Sequence, residues 1–188
     1  MNARITMCIG TAALLVAAGC GIGMGSGTLP AAAAFGDPLT AQPCDRSYHN
    51  EGLGFGFQPP GDATGPDMSR TPPDNTTLFS GAWTTPRSRV FNVSVVKIGT
   101  STFENAIQSA RNAALFSWRG ILEDRPISFD SGRTGWLLRT GTNTGAIETF
   151  VFDVRRGLLF TLGVDVTGAT SDELDRINKV LLSFCVEP

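Results

Sequence analysis

Four cysteines and one histidine are the side chains of this 188-residue chain best suited to covalent or metal chemistry. Cys8 and Cys20 fall near the start, while Cys44 and Cys185 stand far apart in the rest of the chain. No CxxC or CxxH spacing joins them, and structural zinc sites are built on such spacings. No metal is therefore expected. His49, between Tyr48 and Asn50, has no neighbouring group to orient it as a base and reads as a loop residue. The adjacent carboxylates Glu123 and Asp124 would point apart on a helix, so they read as a solvated loop rather than an acid–base pair. Asp172, Glu173 and Asp175 cluster where a helix begins, and negative charge there complements the helix dipole. There is no GxSxG elbow. The glycines at 19, 21, 23, 25 and 27 miss the GxGxxG spacing, and no phosphate-loop lysine comes after them. The expected catalytic set and the expected cofactor are thus both none.

The elements that must position any remaining site come from composition and periodicity. The chain is 41% hydrophobic and 17% charged, enough for a packed core and unlike a disordered chain. With a pI of 5.3 and two lysines it has no electrostatic footprint for phosphates, so nucleic acid is not an expected partner.

Arg4 is the sole charge before Asp37. Ile5–Ala18 is an apolar run of secretory length behind a short positive start. Ala17-Ala18-Gly19-Cys20 resembles the lipobox of bacterial lipoproteins, although Ala17 replaces the commoner leucine. The resemblance implies that residues 1–19 are a lipoprotein signal peptide and that Cys20 is acylated as the first mature residue. Two other readings stay open. A signal peptidase could cut at Ala31–Ala34 and release a soluble protein, or the apolar run could remain as an anchor, for which its glycines make a poor helix. All three place the folded part outside the cytoplasm. Residues 20–43 carry the lipidated cysteine and a Gly-, Ala- and Pro-rich tether whose span is on the order of 25 Å.

With Cys8 in the signal and Cys20 lipidated, Cys44 and Cys185 remain. An exported compartment permits a disulfide between them, and such a bridge would restrict the unfolded chain by about 5 kcal/mol. The alternative is two buried thiols.

Residues 44–188 read as one α+β domain. Leu53, Phe55 and Phe57 alternate with glycines as a strand with one apolar and one bare face. Residues 59–75 hold five prolines and read as a long loop, disordered or in contact with a partner through Asp67, Arg70 and Asp74. Strands are expected at Thr76–Thr84 and Val90–Ile98. A helix comes next, with a capping box from Ser101 to Glu104, an apolar stripe from Phe103 to Trp118 and its end at Gly120. Ile127–Phe129 is a short strand. Gly135–Thr140, Ala146–Val154 and Leu158–Val166 form a meander, with Gly157 supplying positive φ at its second turn. A last helix starts at Thr170 with Glu173 completing its cap. Leu174, Ile177, Leu181 and Phe184 form its stripe. Both faces of Ala146–Val154 are apolar, so both should be covered. Trp83, Trp118 and Trp136 each sit in an apolar periodic segment and read as core. The expected architecture is a mainly antiparallel sheet of six or seven strands flanked by two helices.

Three passages carry a further resemblance: GLGFGFQPP, FNVSVVKIGTSTFENAIQSA, and the meander with its final helix ending LLSFCV. Together they span Gly52–Val186 and are similar to the PsbP-like α/β/α sandwich. That family is named for an extrinsic photosystem subunit and includes bacterial envelope lipoproteins of the LpqN and DcrB kind. It implies accessory, assembly and binding roles and supplies no catalytic residues. The expectation is a cell-envelope lipoprotein, held at a membrane by acylated Cys20, whose domain binds an envelope protein or ligand without catalysis. The alternatives are a secreted small-ligand carrier, which needs a lined apolar cavity, and a secreted hydrolase, which needs two carboxylates of separated pKa in one cleft.

Overall fold

The structure, a computed structural model, describes residues 44–68 and 75–187. The expected signal peptide (1–19), Cys20 and the tether (20–43) lie outside the described residues, as do Arg70 and Asp74.

The described chain runs β1 (Tyr48–Asn50), β2 (Phe55–Phe57), β3 (Thr64–Asp67), β4 (Thr77–Thr84), β5 (Val90–Lys97), α1 (Phe103–Phe116), β6 (Gly120–Ser128), β7 (Thr134–Gly141), β8 (Ile147–Arg155), β9 (Leu158–Asp165), α2 (Ser171–Leu182) and β10 (Cys185–Val186). Seven strands form one antiparallel sheet in the order β3-β4-β5-β9-β8-β7-β6. The order β1-β2-β10 makes a second, small sheet. The expected α+β class, with a mainly antiparallel sheet and two helices, is what the chain adopts.

Short turns set the meander. Between β8 and β9, Arg156 and Gly157 both have positive φ, 50° and 70°. A two-residue turn with both central residues left-handed matches the twist of the strands it joins. Strand alternation on β8 then feeds two cores. Val151 packs with Leu162, Phe160 and the α2 residues Ile177 and Leu181. Phe152 turns the other way, to Leu138 and the α1 residue Ile107. The helices therefore cover opposite faces. The small sheet joins α2, because Phe55, Phe57 and Val186 belong to its core. The α2 start is as expected: Thr170 Oγ1 accepts from the Glu173 N–H, and the Glu173 carboxylate accepts from the Thr170 N–H.

Several local expectations change. The strand expected around Leu53–Phe57 is β2, Phe55–Phe57, preceded by β1; it is buried throughout, and its bare face is not open. A Cβ on Gly56 would stand 2.8 Å from the Tyr48 carbonyl oxygen, so glycine is there to let β1 approach. The stretch 59–75 is not all loop. β3 lies along β4 as an edge strand, where a proline with no N–H is tolerated. β6 begins at Gly120, not Ile127, so Glu123 and Asp124 lie on a strand and not in a loop. Pro126 sits within it, again at a sheet edge.

The first helix is capped by Thr102, whose side chain accepts from the Asn105 N–H; Glu104 falls one position short of the capping-box site. That helix ends at Phe116 rather than Gly120. The Trp118 N–H donates to Leu115 O at 3.1 Å and the Arg119 N–H to Ala114 O at 2.9 Å. This paired closure places Trp118 in the left-handed position that glycine normally fills, with φ 56°. For a bulky residue this conformation costs roughly 1–2 kcal/mol. Trp118 is 87% exposed, so it is not core; Trp83 is buried and Trp136 half-buried. Phe184 lies beyond the end of α2 yet is fully buried.

Candidate functional site

The two cysteines left over at the domain ends are joined. Cys44 and Cys185 form a disulfide with Cα atoms 5.8 Å apart. Cys44 precedes β1 and Cys185 opens β10, and both strands pair with β2, so the small sheet brings the ends together. His49 lies on β1, not in a loop, and its Nε2 is 3.1 Å from Glu187 Oε1, across the same small sheet.

Below this corner a cleft of about 820 Å³ opens between α2, the segment after β2 and the β4–β5 turn. Phe91, Ile177 and Val180 give it an apolar floor, extended by Pro59 and Pro60. Five cations line it: Arg46, Arg87, Arg89, Arg176 and Lys179. Three carboxylates, Asp62, Asp130 and Glu173, oppose them. Ser183 ties its base, because its hydroxyl accepts from the Gln58 N–H at 2.9 Å and its carbonyl accepts from Arg46 Nε at 3.0 Å.

The charges are unevenly matched. Glu173 takes Arg87 at 3.2 Å and Arg89 at 3.5 Å. Its carboxyl is held below the usual range, first by the Thr170 N–H and then by Arg87. It therefore stays anionic and keeps both guanidiniums occupied. Arg89 also donates to the carbonyls of Asp165 and Thr167. Arg46 meets Asp130 at 3.8 Å. Among the described residues Arg176 donates to the Asp172 carbonyl, on its own helix. Thus Arg176 and Lys179, both exposed, face the cleft without a carboxylate among the described residues. The excess of cations over carboxylates in the cleft attracts opposite charge.

The other carboxylates are structural. Asp124 on β6 accepts two bonds from Arg111 of α1, at 2.7 and 3.1 Å, and one from Trp136 Nε1 at 2.6 Å. Arg111, by hydrogen bonding, lowers its pKa. Glu123, on the opposite face of β6, takes Arg139 at 3.0 Å and Arg125 at 2.7 Å. Asp153 of β8 is 4% exposed, and burial pushes its carboxyl up to about 6 despite Arg133 at 2.9 Å. Arg133 in turn donates to Val186 O at 2.8 Å, so this pair fastens β10 to the main sheet. Asp153 faces Arg133 and does not line the cleft. Among the described residues no three His, Cys, Asp or Glu side chains converge as a metal site requires.

The sequence marked Asp172, Glu173 and Asp175 only as a helix start; Glu173 is also the clamp of the cleft's arginines. The cleft's cations were not recognisable as a group. They come from before β1, from the β4–β5 turn and from α2, and no local motif unites them. Asp67, expected to be part of a contact loop, lies on exposed β3.

No known family pattern matches the chain, and no curated protein does. Its fold is similar to that of the solution structure of cyanobacterial PsbP (CyanoP) from Synechocystis sp. PCC 6803. The TM-score is 0.54 at 17% identity, over 74% of this chain and 91% of that one. The class is therefore the PsbP-like α+β sandwich, which identity this low establishes for the fold alone.

Proposed function

We propose that the chain is an exported accessory protein of the bacterial cell envelope, tethered to a membrane by an acyl group on Cys20, whose domain binds rather than transforms its ligand. The observation that carries the reading is the cleft. An apolar floor of Phe91, Ile177 and Val180 beneath the free cations Arg176 and Lys179 suits an amphiphile with an anionic head and an apolar body. The volume is that of an ordinary small-ligand site. The Cys44–Cys185 bridge supports export, because such bonds persist in oxidising compartments. The lipobox-like Ala17–Cys20 and the uncharged tether support the anchor.

Titration of the full-length protein with dodecyl phosphate tests the binding role. Saturable binding that weakens at least tenfold in Arg176→Glu/Lys179→Glu supports it; equal binding by both proteins removes it. Intact mass of the native protein tests the tether. A chain starting at Cys20 with acyl groups supports it, and Cys20→Ser then leaves the membrane fraction.

The same cleft favours a second reading, a secreted soluble carrier. A mass beginning near Phe35 without lipid, together with dodecyl phosphate binding, would select the carrier.

A further inference from the structure

At the α1–β6 corner the chain holds large apolar side chains out of both cores. Phe116 is 85% exposed and Trp118 87%; Leu115 and Leu122 are 59% and 58% exposed, and Ile121 beside them is also exposed. Five such residues within eight positions form an exposed apolar knuckle, and apolar groups gathered in this way mark interaction surfaces. The backbone adds an independent sign. Trp118 occupies, at φ 56°, the helix-end position where glycine would be relaxed. A bulky residue held in strained backbone with its ring in solvent is not there for the core, and strain of this kind gathers at functional positions.

We infer that this knuckle inserts into the interfacial layer of a lipid bilayer. The inference rests on the reading of Cys20 as an acyl anchor. Segment 21–43 lies outside the described residues and ends at Cys44, and its span on the order of 25 Å keeps the domain within reach of the membrane carrying the acyl chains. The residue types suit that layer. Tryptophan settles at the headgroup level, and phenylalanine and leucine enter the acyl boundary beside it. The ion pairs around the knuckle are internally matched: Arg119 with Glu148 at 2.6 Å, Arg111 with Asp124, and Arg139 with Glu123. No unpaired charge among these has to be desolvated, and none selects a charged partner surface. A neutral lipid surface is the occupant that this chemistry fits.

The test uses the full-length protein with phosphatidylcholine vesicles whose acyl chains carry bromine, which quenches tryptophan on contact. Trp83 is buried and Trp136 lies beneath the Arg111 guanidinium, which leaves Trp118 as the reporter. The expected result is bromine-dependent loss of one tryptophan's emission, absent in Trp118→Phe. No such loss in protein that floats with the vesicles overturns the inference. If native mass shows no acyl group, the tether reading falls; quenching of the unacylated chain at millimolar lipid then still upholds the knuckle, and its absence removes it. A concentration-dependent dimer that Phe116→Ser/Trp118→Ser dissociates, with no quenching in the parent, would assign the knuckle to a second copy of this chain and end the membrane proposal.

Discussion

On the α2 side of the main sheet, Phe55, Phe57, Phe91, Phe160, Leu162 and Phe184 are almost fully buried, a second small sheet closes over them, and a disulfide fastens the chain ends. On the α1 side a cluster of three buried residues, Ile107, Leu138 and Phe152, holds the helix down, helped by the Arg111–Asp124 pair. The same side sends Phe116 and Trp118 into solvent. The faces differ in how much apolar surface they bury. A well-filled face can carry the stability of the whole domain. The other is then free to place apolar groups where they do nothing for folding, a choice that makes sense for a surface that meets something else.

The contrast can be broken most forcefully at the disulfide. Cys44→Ser/Cys185→Ser releases a loop whose ends are 141 residues apart, which the chain-entropy model values at about 5 kcal/mol. The urea midpoint should fall by that order, and reductant should then have no further effect. Next, Phe55→Ala should cost roughly 3–5 kcal/mol. Ile107→Ala on the thinner side should fall nearer the lower end of the roughly 2–5 kcal/mol seen for buried aliphatic truncations. Equal losses would contradict the asymmetry.

The Asp153–Arg133 pair sharpens the comparison through pH. The folded carboxyl keeps its proton up to about pH 6, whereas the unfolded one releases it near the ordinary value of 3.8. Between these values the folded state binds more protons, so the stability from this group is full below about pH 4 and is lost as pH rises through about 6. The change is on the order of 2–3 kcal/mol. Asp153→Asn should flatten that part of the pH–stability curve, even if its absolute stability falls because Arg133 is left without its partner.

Thr170→Ala should cost about 1 kcal/mol by uncapping α2. The smallest expected effect has the opposite sign. Trp118→Gly should raise stability by roughly 0.5–1 kcal/mol, because it relieves the left-handed backbone. A loss there would mean that the exposed ring does pack in solution.

Much of the fold could be read from the sequence because its signals are local. The alternation in β5, β8 and β9 and the Thr170–Glu173 capping box need no knowledge of distant partners. The misses have the opposite character. β1 and β10 are too short to show a period and exist because β2 lies between them. β3 carries a proline and becomes a strand only as an edge to β4. Trp118 fits the stripe of α1 by spacing, yet the helix closes two residues earlier. The bridge between Cys44 and Cys185 was reachable by elimination. The cleft was not, since it assembles Arg46, Arg87, Arg89, Arg176 and Lys179 from three separate stretches of chain.

Because Cys44 and Cys185 are bonded to each other, the chain between them is a closed covalent ring with both of its exits at one corner. A pull between the N-terminal segment and the C-terminal end enters and leaves through that bond. It does not load the ladder of the seven-stranded sheet. Tension between the two chain ends therefore cannot unravel the globule while the bond is intact. A single proteolytic cut anywhere in the ring opens it without separating the pieces. Force applied between the two chain ends is thus confined to one covalent link, and the fold enclosed by that link is left undisturbed.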